Sequence, residues 1–364
     1  MRVITIVCWV ITALVLAGLA AWFLTGTVFG IHVNGRNTNL WSPGFNIGRW
    51  ESLTGPYKLD GTYNVGSADL DSISVDWVSG EITVKPHDGN EIQISEYAQR
   101  ELRNDEKLTF ETSGGTLTIK YRENGYSGNM PSKKLEVLIP RLLCEEMNTF
   151  TVDSSSGRVN VSGLNADTVK IHTMSGNIDI SKIISGALEA NSSSGSITAA
   201  SVVSNDVKIN SMSGPVRISG STAGTINCDT SSGSINVSGA YDSVTFNSLS
   251  GRITLDDSAS HSVVTTGSSS GSQEITGSFD RVDIKSLSGS VTIRSSTVPA
   301  SLRADTASGS ITVAVPNEGE IRVHHSSASG RLSSDIPIVV VQGGGSAQFE
   351  LQTLSGSAKI IAID

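Results

Sequence analysis

Along the second half of the chain, apolar residues fall in short runs that alternate with polar ones. One unit reads Ser232-Gly233-Ser234-Ile235-Asn236-Val237, then a polar turn from Ser238 to Ser243, then Val244-Thr245-Phe246-Asn247-Ser248-Leu249-Ser250-Gly251. Period-two alternation of this kind predicts half-buried strands, two to a unit. The Ser-Gly pair recurs at Gly157, Gly176, Gly195, Gly214, Gly233, Gly251, Gly271, Gly289, Gly309, Gly330 and Gly356. The first nine steps are 19, 19, 19, 19, 18, 20, 18, 20 and 21 residues, and the last is 26. A period of about 20 predicts a stacked repeat, here an all-β parallel solenoid with Ser-Gly corners. Glycine suits a corner that needs either a positive φ or a close backbone approach. Ser and Thr beside it can bond their own backbone and cap the turn.

Side-chain size carries a second period. The residue before each Ser-Gly runs Ser155, Met174, Ser193, Met212, Ser231, Leu249, Ser269, Leu287. A strand position upstream alternates with it, bulky Ile171, Ile209, Phe246 and Ile284 against small Ala190, Cys228, Thr265 and Ala304. If like stacks on like, this favours a 38-residue coil with a bulky half and a small half, the 19-residue coil being the alternative. One strand spacing per coil gives a rod of roughly 25 Å for the longer coil and roughly 50 Å for the shorter. A β-sandwich of hairpins is a rival architecture, but sandwich turns vary in length and these corners barely do.

Residues 61–150 form a different β region. Ile73-Ser74-Val75-Asp76-Trp77, Ile82-Thr83-Val84, Ile92-Gln93-Ile94, Leu117-Thr118-Ile119 and Leu135–Pro140 read as strands, and Gly80 as a first, degenerate corner. This region is expected to cap one end of the array, as terminal repeats do. At the other end the apolar run Ile336–Val341 and Gly343-Gly344-Gly345 interrupt the spacing before Phe349 resumes it. An insertion there is expected to cover the open strand edge.

From Val3 to Val33 there is no Asp, Glu, Lys or Arg. Such a stretch reads as a transmembrane helix, or as a cleaved signal peptide with Gly18-Leu19-Ala20 as the cut site. Either reading places the rest outside the cytoplasm, and the short N-terminus with Arg2 stays inside by the positive-inside rule. The expected layout is a membrane anchor or signal at 1–33, a linker at 34–60, the cap region at 61–150 and the Ser-Gly solenoid at 151–364.

Composition narrows the chemistry. The net charge of −9 is spread out, and no basic block points to nucleic acid. Cys8, Cys144 and Cys228 stand far apart, which argues against a disulfide framework or a zinc site. His32, His87, His172, His261, His324 and His325 show no metal-binding spacing, and the strand-like His324-His325 pair should point to opposite faces. The acid pairs Asp69/Asp71, Glu145/Glu146 and Asp256/Asp257 do not recur in register, so they read as surface charges rather than glycosidase carboxylates or calcium ligands. Repeated serines without a partnered His are corners, not nucleophiles. No catalytic, cofactor-binding or metal-binding residue is assigned, and no cofactor is expected. Asn160, Asn191 and Asn236 head glycosylation sequons.

The N-terminal apolar segment, Ser79-Gly80-Glu81-Ile82-Thr83-Val84, the Leu135–Pro140 strand and the train of Ser-Gly-x-Ile-x-Val units resemble a bacterial β-strand-repeat family of unknown function, often labelled "putative adhesin". The likeness covers about residues 65–364. It implies a surface-exposed bacterial β-solenoid without known catalysis, and the family supplies no site residues to carry over. The resulting expectation is a non-catalytic binding or scaffolding module at the cell envelope, attached to the membrane by its N-terminal helix. Cell-wall glycan, host glycan or another envelope protein is the candidate partner. A polysaccharide-acting β-helix enzyme and an envelope-stress signalling or structural partner of another membrane protein are the alternatives.

Overall fold

The computed structural model of the chain describes residues 56–122, 131–342 and 348–363. The expected membrane segment, Cys8, His32 and the first part of the expected linker lie outside the described residues. Among those described, no helix is long and apolar enough to cross a membrane. The first strand, Lys58–Gly66, begins within the stretch read as linker.

Each Ser-Gly unit makes one coil. One strand leads into the corner and a second trails from it, and each pairs in parallel with its counterpart one unit away. On the leading face Ile171 lies between Val152 and Ala190; on the trailing face Ile178 lies between Val159 and Ile197. Since Ile178 and Ile197 are one coil apart, the coil has 19 residues, not 38. The stacking of unit upon unit also excludes hairpin repeats. Among the described residues, antiparallel pairing is confined to the N-terminal end.

The corner glycines form one column in which the carbonyl of each rung occupies the space a side chain would need on the next. A Cβ on Gly214 would stand 2.0 Å from the carbonyl oxygen of Gly195, and one on Gly251 would stand 1.9 Å from that of Gly233. Close approach, not a positive φ, is what these corners require. In the first four coils the left-handed backbone instead lies at the second corner, between the trailing strand and the next leading one, at Gly163, Lys182, Ser201 and Gly220. Nine of the eleven Ser-Gly corners are closed by a hydroxyl three residues before the glycine, as where the Gly195 N–H donates to Ser192 Oγ at 2.9 Å.

The size alternation belongs to the packing of neighbouring rungs. Down the interior of the leading face run Ile171, Ala190, Ile209, Cys228, Phe246, Thr266, Ile284, Ala304 and Leu351. Bulky and small thus alternate from one rung to the next. Thr266, not Thr265, is the inward residue, because its coil carries one residue more. The inward position two residues upstream compensates. Leu188, Ile226 and Leu302 accompany Ala190, Cys228 and Ala304, whereas Val169, Val207, Val244 and Val282 accompany the bulky rungs. In these seven rungs the exchange keeps the aliphatic volume similar, as close packing of a constant bore demands; the Thr266 rung, with Val264, and the Leu351 rung, with Phe349, depart from it.

At both ends, rung order departs from chain order. The coil Ser72–Trp77 and Glu81–His87 is made first, but the later strands Thr116–Lys120 and Lys133–Pro140 stack outside it. The short helix α1 (Arg141–Glu145) then leads the chain back to Met147–Ser154, on the inner side of that first coil. At the C-terminus the coil of Ile321–Ser327 and Leu332–Ser334 is laid down one rung too far. Phe349–Thr353 then enters between Ser301–Thr306 and Ile321–Ser327, and Ala358–Ala362 between Ile311–Val315 and Leu332–Ser334. The glycine column accordingly runs Gly309, Gly356, Gly330. Ile338–Val340 lies along the outer edge of Ile321–Val323, so the apolar insertion does cover that edge. From Gly80 to Gly330 the column has twelve rungs, a length of about 50 Å at one strand spacing each.

Gly214→Ala is expected to lower unfolding free energy in urea by about 1–3 kcal/mol through overpacking. Gly66→Ala, where a Cβ meets nothing within 4 Å, should stay within about 0.5 kcal/mol of wild type. Deleting residues 348–364 removes a rung from inside the stack. Limited proteolysis should then cut freely between residues 316 and 342 while the coils up to Gly309 stay protected; a truncated chain as resistant as wild type would contradict the rung order.

Candidate binding surfaces

The residues singled out from sequence as possible chemistry remain dispersed. His87 bonds the Glu91 carbonyl at 2.9 Å, His261 pairs with Asp280 at 2.7 Å, and His172 lies 4.0 Å from Asp153. His324 sits in an outward row beside Glu350, and His325 in the inward row beside Leu351, where burial lowers its pKa. Asp256 and Asp257 point to opposite faces. Asp256 lies on an open groove of about 680 Å³ with Thr276 and Arg294. Asp257 is buried and accepts the N–H groups of Tyr241 and Ala259, and its burial raises its pKa. Cys144 and Cys228 are buried thiols, with burial raising Cys144 to about 11 and Cys228 further. Among the described residues no three His, Cys, Asp or Glu side chains gather as a metal site.

The N-terminal end is closed by buried charge. Lys133 lies at the inward phase of its strand, in step with Leu135, Val137 and Ile139. Its ammonium pairs with Glu96 at 2.6 Å, donates to the carbonyls of Glu106 at 2.7 Å and Tyr121 at 2.5 Å, and stands over the Tyr121 and Trp77 rings. Both ionic side chains are fully buried. Desolvation raises Glu96 and lowers Lys133, each opposed by the other's charge. Beside them, the hydrogen-bonded Arg100 guanidinium holds the buried Glu106 carboxyl down to about 2, helped by the Arg103 N–H. These groups are enclosed and mutually satisfied, so they close the tube rather than bind a ligand.

On the outer surface of the same end is a cleft of about 270 Å³ lined by Tyr57, Tyr97, Glu81, Thr83, Lys134 and Glu136. Lys134 pairs with Glu81 at 2.8 Å and stands 4.9 Å from the centre of the Tyr57 ring. Glu136 pairs with Lys85 at 2.8 Å and accepts from the Tyr97 hydroxyl at 3.2 Å. The Lys134 hydrogen bond lowers the Glu81 pKa, with Asn160 adding a second donor at 2.9 Å. Two tyrosines beside fixed carboxylates offer ring faces and hydroxyl-directed acceptors together. Outward phase was legible at Glu81, Lys134 and Glu136. Their adjacency was not, because it depends on the out-of-order rung.

The leading face adds a polar ladder. Asp153, His172, Asn191, Asn210, Asp229 and Asn247 occupy successive rungs. Asn210 donates to Asn191 at 2.7 Å and Asn247 to Asp229 at 2.8 Å. With the corner column behind it, this is a stiff, hydrogen-bonding face.

The Toastrack DUF4097 family matches residues 70–243 and again 221–361, together spanning most of the chain. The chain belongs to the Toastrack DUF4097 family. Solved structures with which the Toastrack chain shares similarity include a putative adhesin from Parabacteroides distasonis ATCC 8503, 13% identical with a TM-score of 0.39, covering 85% of this chain and 98% of that one. A putative adhesin from Parabacteroides merdae ATCC 43184 is 12% identical with a TM-score of 0.40, over 85% and 98%. A putative lipid binding protein from Parabacteroides distasonis ATCC 8503 is 17% identical with a TM-score of 0.34, over 84% and 96%. These low TM-scores carry no argument about the surfaces of this Toastrack protein. No curated protein matches it.

Lys133→Met, which strands the Glu96 carboxylate in the interior, should cost about 3–5 kcal/mol of stability in chemical denaturation. The double variant Lys133→Met/Glu96→Gln keeps an acceptor for the Leu108 N–H and should recover most of that loss. Equal losses in the two variants would show that the ion pair is not what closes this end.

Proposed function

We propose that this chain is a non-catalytic binding rod of the bacterial cell envelope, held at the membrane by its N-terminal segment with the rod outside the cytoplasm, and that its N-terminal cleft takes a glycan. The cleft carries the reading. Tyrosine rings stack on the C–H faces of a sugar ring, and carboxylates already oriented by lysines accept from sugar hydroxyls without rearranging. A volume of about 270 Å³ suits one or two sugar rings rather than a long chain.

A polysaccharide-acting enzyme is less well supported. Glycoside hydrolysis uses a carboxyl with a raised pKa facing a second carboxylate. Glu81 is pushed the other way by Lys134, and Glu136 is engaged by Lys85. Asp257, which burial does raise, is turned away from Asp256 and held by backbone donors.

The test is binding of the purified full-length chain to cell-wall fractions and to an array of host glycans. Wild type should retain at least one of these, and Tyr97→Ala or Tyr57→Ala should weaken binding about tenfold, the scale of one lost stacking contact. Failure of the chain to bind any glycan, or binding indifferent to both tyrosines, would sink the glycan reading.

A further inference from the structure

The outside of the Ser-Gly corner carries an apolar comb. In spatial order the residue before each Ser-Gly runs Ser155, Met174, Ser193, Met212, Ser231, Leu249, Ser269, Leu287, Ala307, Leu354, Ala328. Bulky and small alternate without a break over eleven rungs. In chain order the pattern fails at its end, with Ala307, Ala328, Leu354; the out-of-order final coil restores it by placing Leu354 between the two alanines. Met174, Leu287 and Leu354 are 42%, 44% and 47% exposed, and Met212 and Leu249 are half-buried.

Crowding between rungs explains why bulky residues avoid adjacency. It does not explain their chemistry. Lys, Gln or Glu would serve equally at an exposed position, yet every bulky tooth is Met or Leu. A regular row of part-exposed apolar side chains is unlike the singly scattered ones of an ordinary surface, and methionine is enriched in protein interfaces. No aromatic ring stands on this ridge to stack on a sugar. The teeth repeat every two rungs, about 10 Å. An extended peptide repeats its side-chain face every two residues, about 7 Å, and falls out of step within a few teeth. A second copy of the same ridge has the same pitch by construction.

We propose that this ridge is a self-association surface on which two copies of the chain mesh tooth into gap. Two-fold symmetry then fixes the direction. A two-fold axis along the rods sets equal heights side by side and drives Met174 against Met174. A two-fold axis across the rods, passing between the rungs of Ser231 and Leu249, puts every tooth on a small rung of the second copy: Leu249 on Ser231, Met212 on Ser269, Leu287 on Ser193. The closed pair is therefore antiparallel and isologous. In the flanking row the same operation sets His172 opposite Asp305 and Asn191 opposite Lys285, so no like charges meet. A ridge about 50 Å long and one side chain wide buries close to the lower limit of about 1,000 Å² for a specific interface, which fits a reversible pair. This inference is independent of the glycan cleft.

Sedimentation velocity on the full-length chain in mild detergent tests it. Wild type should show a concentration-dependent dimer. Met174→Ser/Leu287→Ser/Leu354→Ser, which trims the exposed teeth, should weaken dimerisation by at least about tenfold. Ser193→Met/Ser231→Met adds apolar surface but fills the gaps, and should weaken it as well. Circular dichroism confirms that each variant is folded, and glycan binding through the Tyr57–Tyr97 cleft should be the same in all three. A wild type that stays monomeric at every concentration overturns the proposal. So does a gap-filled variant that associates as tightly as wild type or more so, since that is generic apolar adhesion.

Discussion

Every rung from Gly157 onward is set by a contact between backbones at the Ser-Gly corner. The carbonyl oxygen of one glycine lies where the next would carry its Cβ. Any other residue would force the rungs apart or displace the corner sideways, and both would break the parallel ladders on either face. With the corner fixed at one strand spacing, the register of both strands follows, and with it every interior and exterior column. The Ser or Thr three residues earlier secures the corner by accepting the glycine N–H. Variation in unit length is absorbed away from this column. The longer turn Ser258–His261, for example, bulges at the second corner, where Asp257 holds it from inside.

The strands and corners were legible because alternation and glycine spacing are local. The coil length was not. Ile171 and Ala190 differ in size, and a rule that like stacks on like assigns them to opposite halves of one coil. They are neighbours in the ladder instead. A bulky side chain is wider than one rung and needs a small one above and below it. The complementary change two residues upstream, Val169 against Leu188, keeps the bore filled. That compensation was present in the sequence, and it separates a packing period from a coil period.

The N-terminal cleft and plug were missed for different reasons. Glu81 and Lys134 are 53 residues apart in chain number and adjacent only because Lys133–Pro140 stacks outside Glu81–His87. Spacing cannot reveal that. Lys133 did leave a signal, since it shares the phase of Leu135, Val137 and Ile139 and must point inward with them. A tube end exposes carbonyls that no further rung will use. An ammonium with three donors satisfies two of them and a carboxylate at once, which an aliphatic plug could not do. The same reasoning extends to the opposite end, where Leu354 kept the size phase of a rung one place from its position in the chain.

Repeat rods ordinarily grow by addition, so that each newly made segment docks on a finished face and a chain stopped early is merely shorter. The C-terminal coil breaks that rule. Phe349–Thr353 and Ala358–Ala362 have rungs on both sides, so the slot they fill must be held open until they are made. These two strands, made after both of their neighbours, thus act as a keystone. A product cut before Phe349 is left with a gap in its stack, marked for disposal by its own geometry.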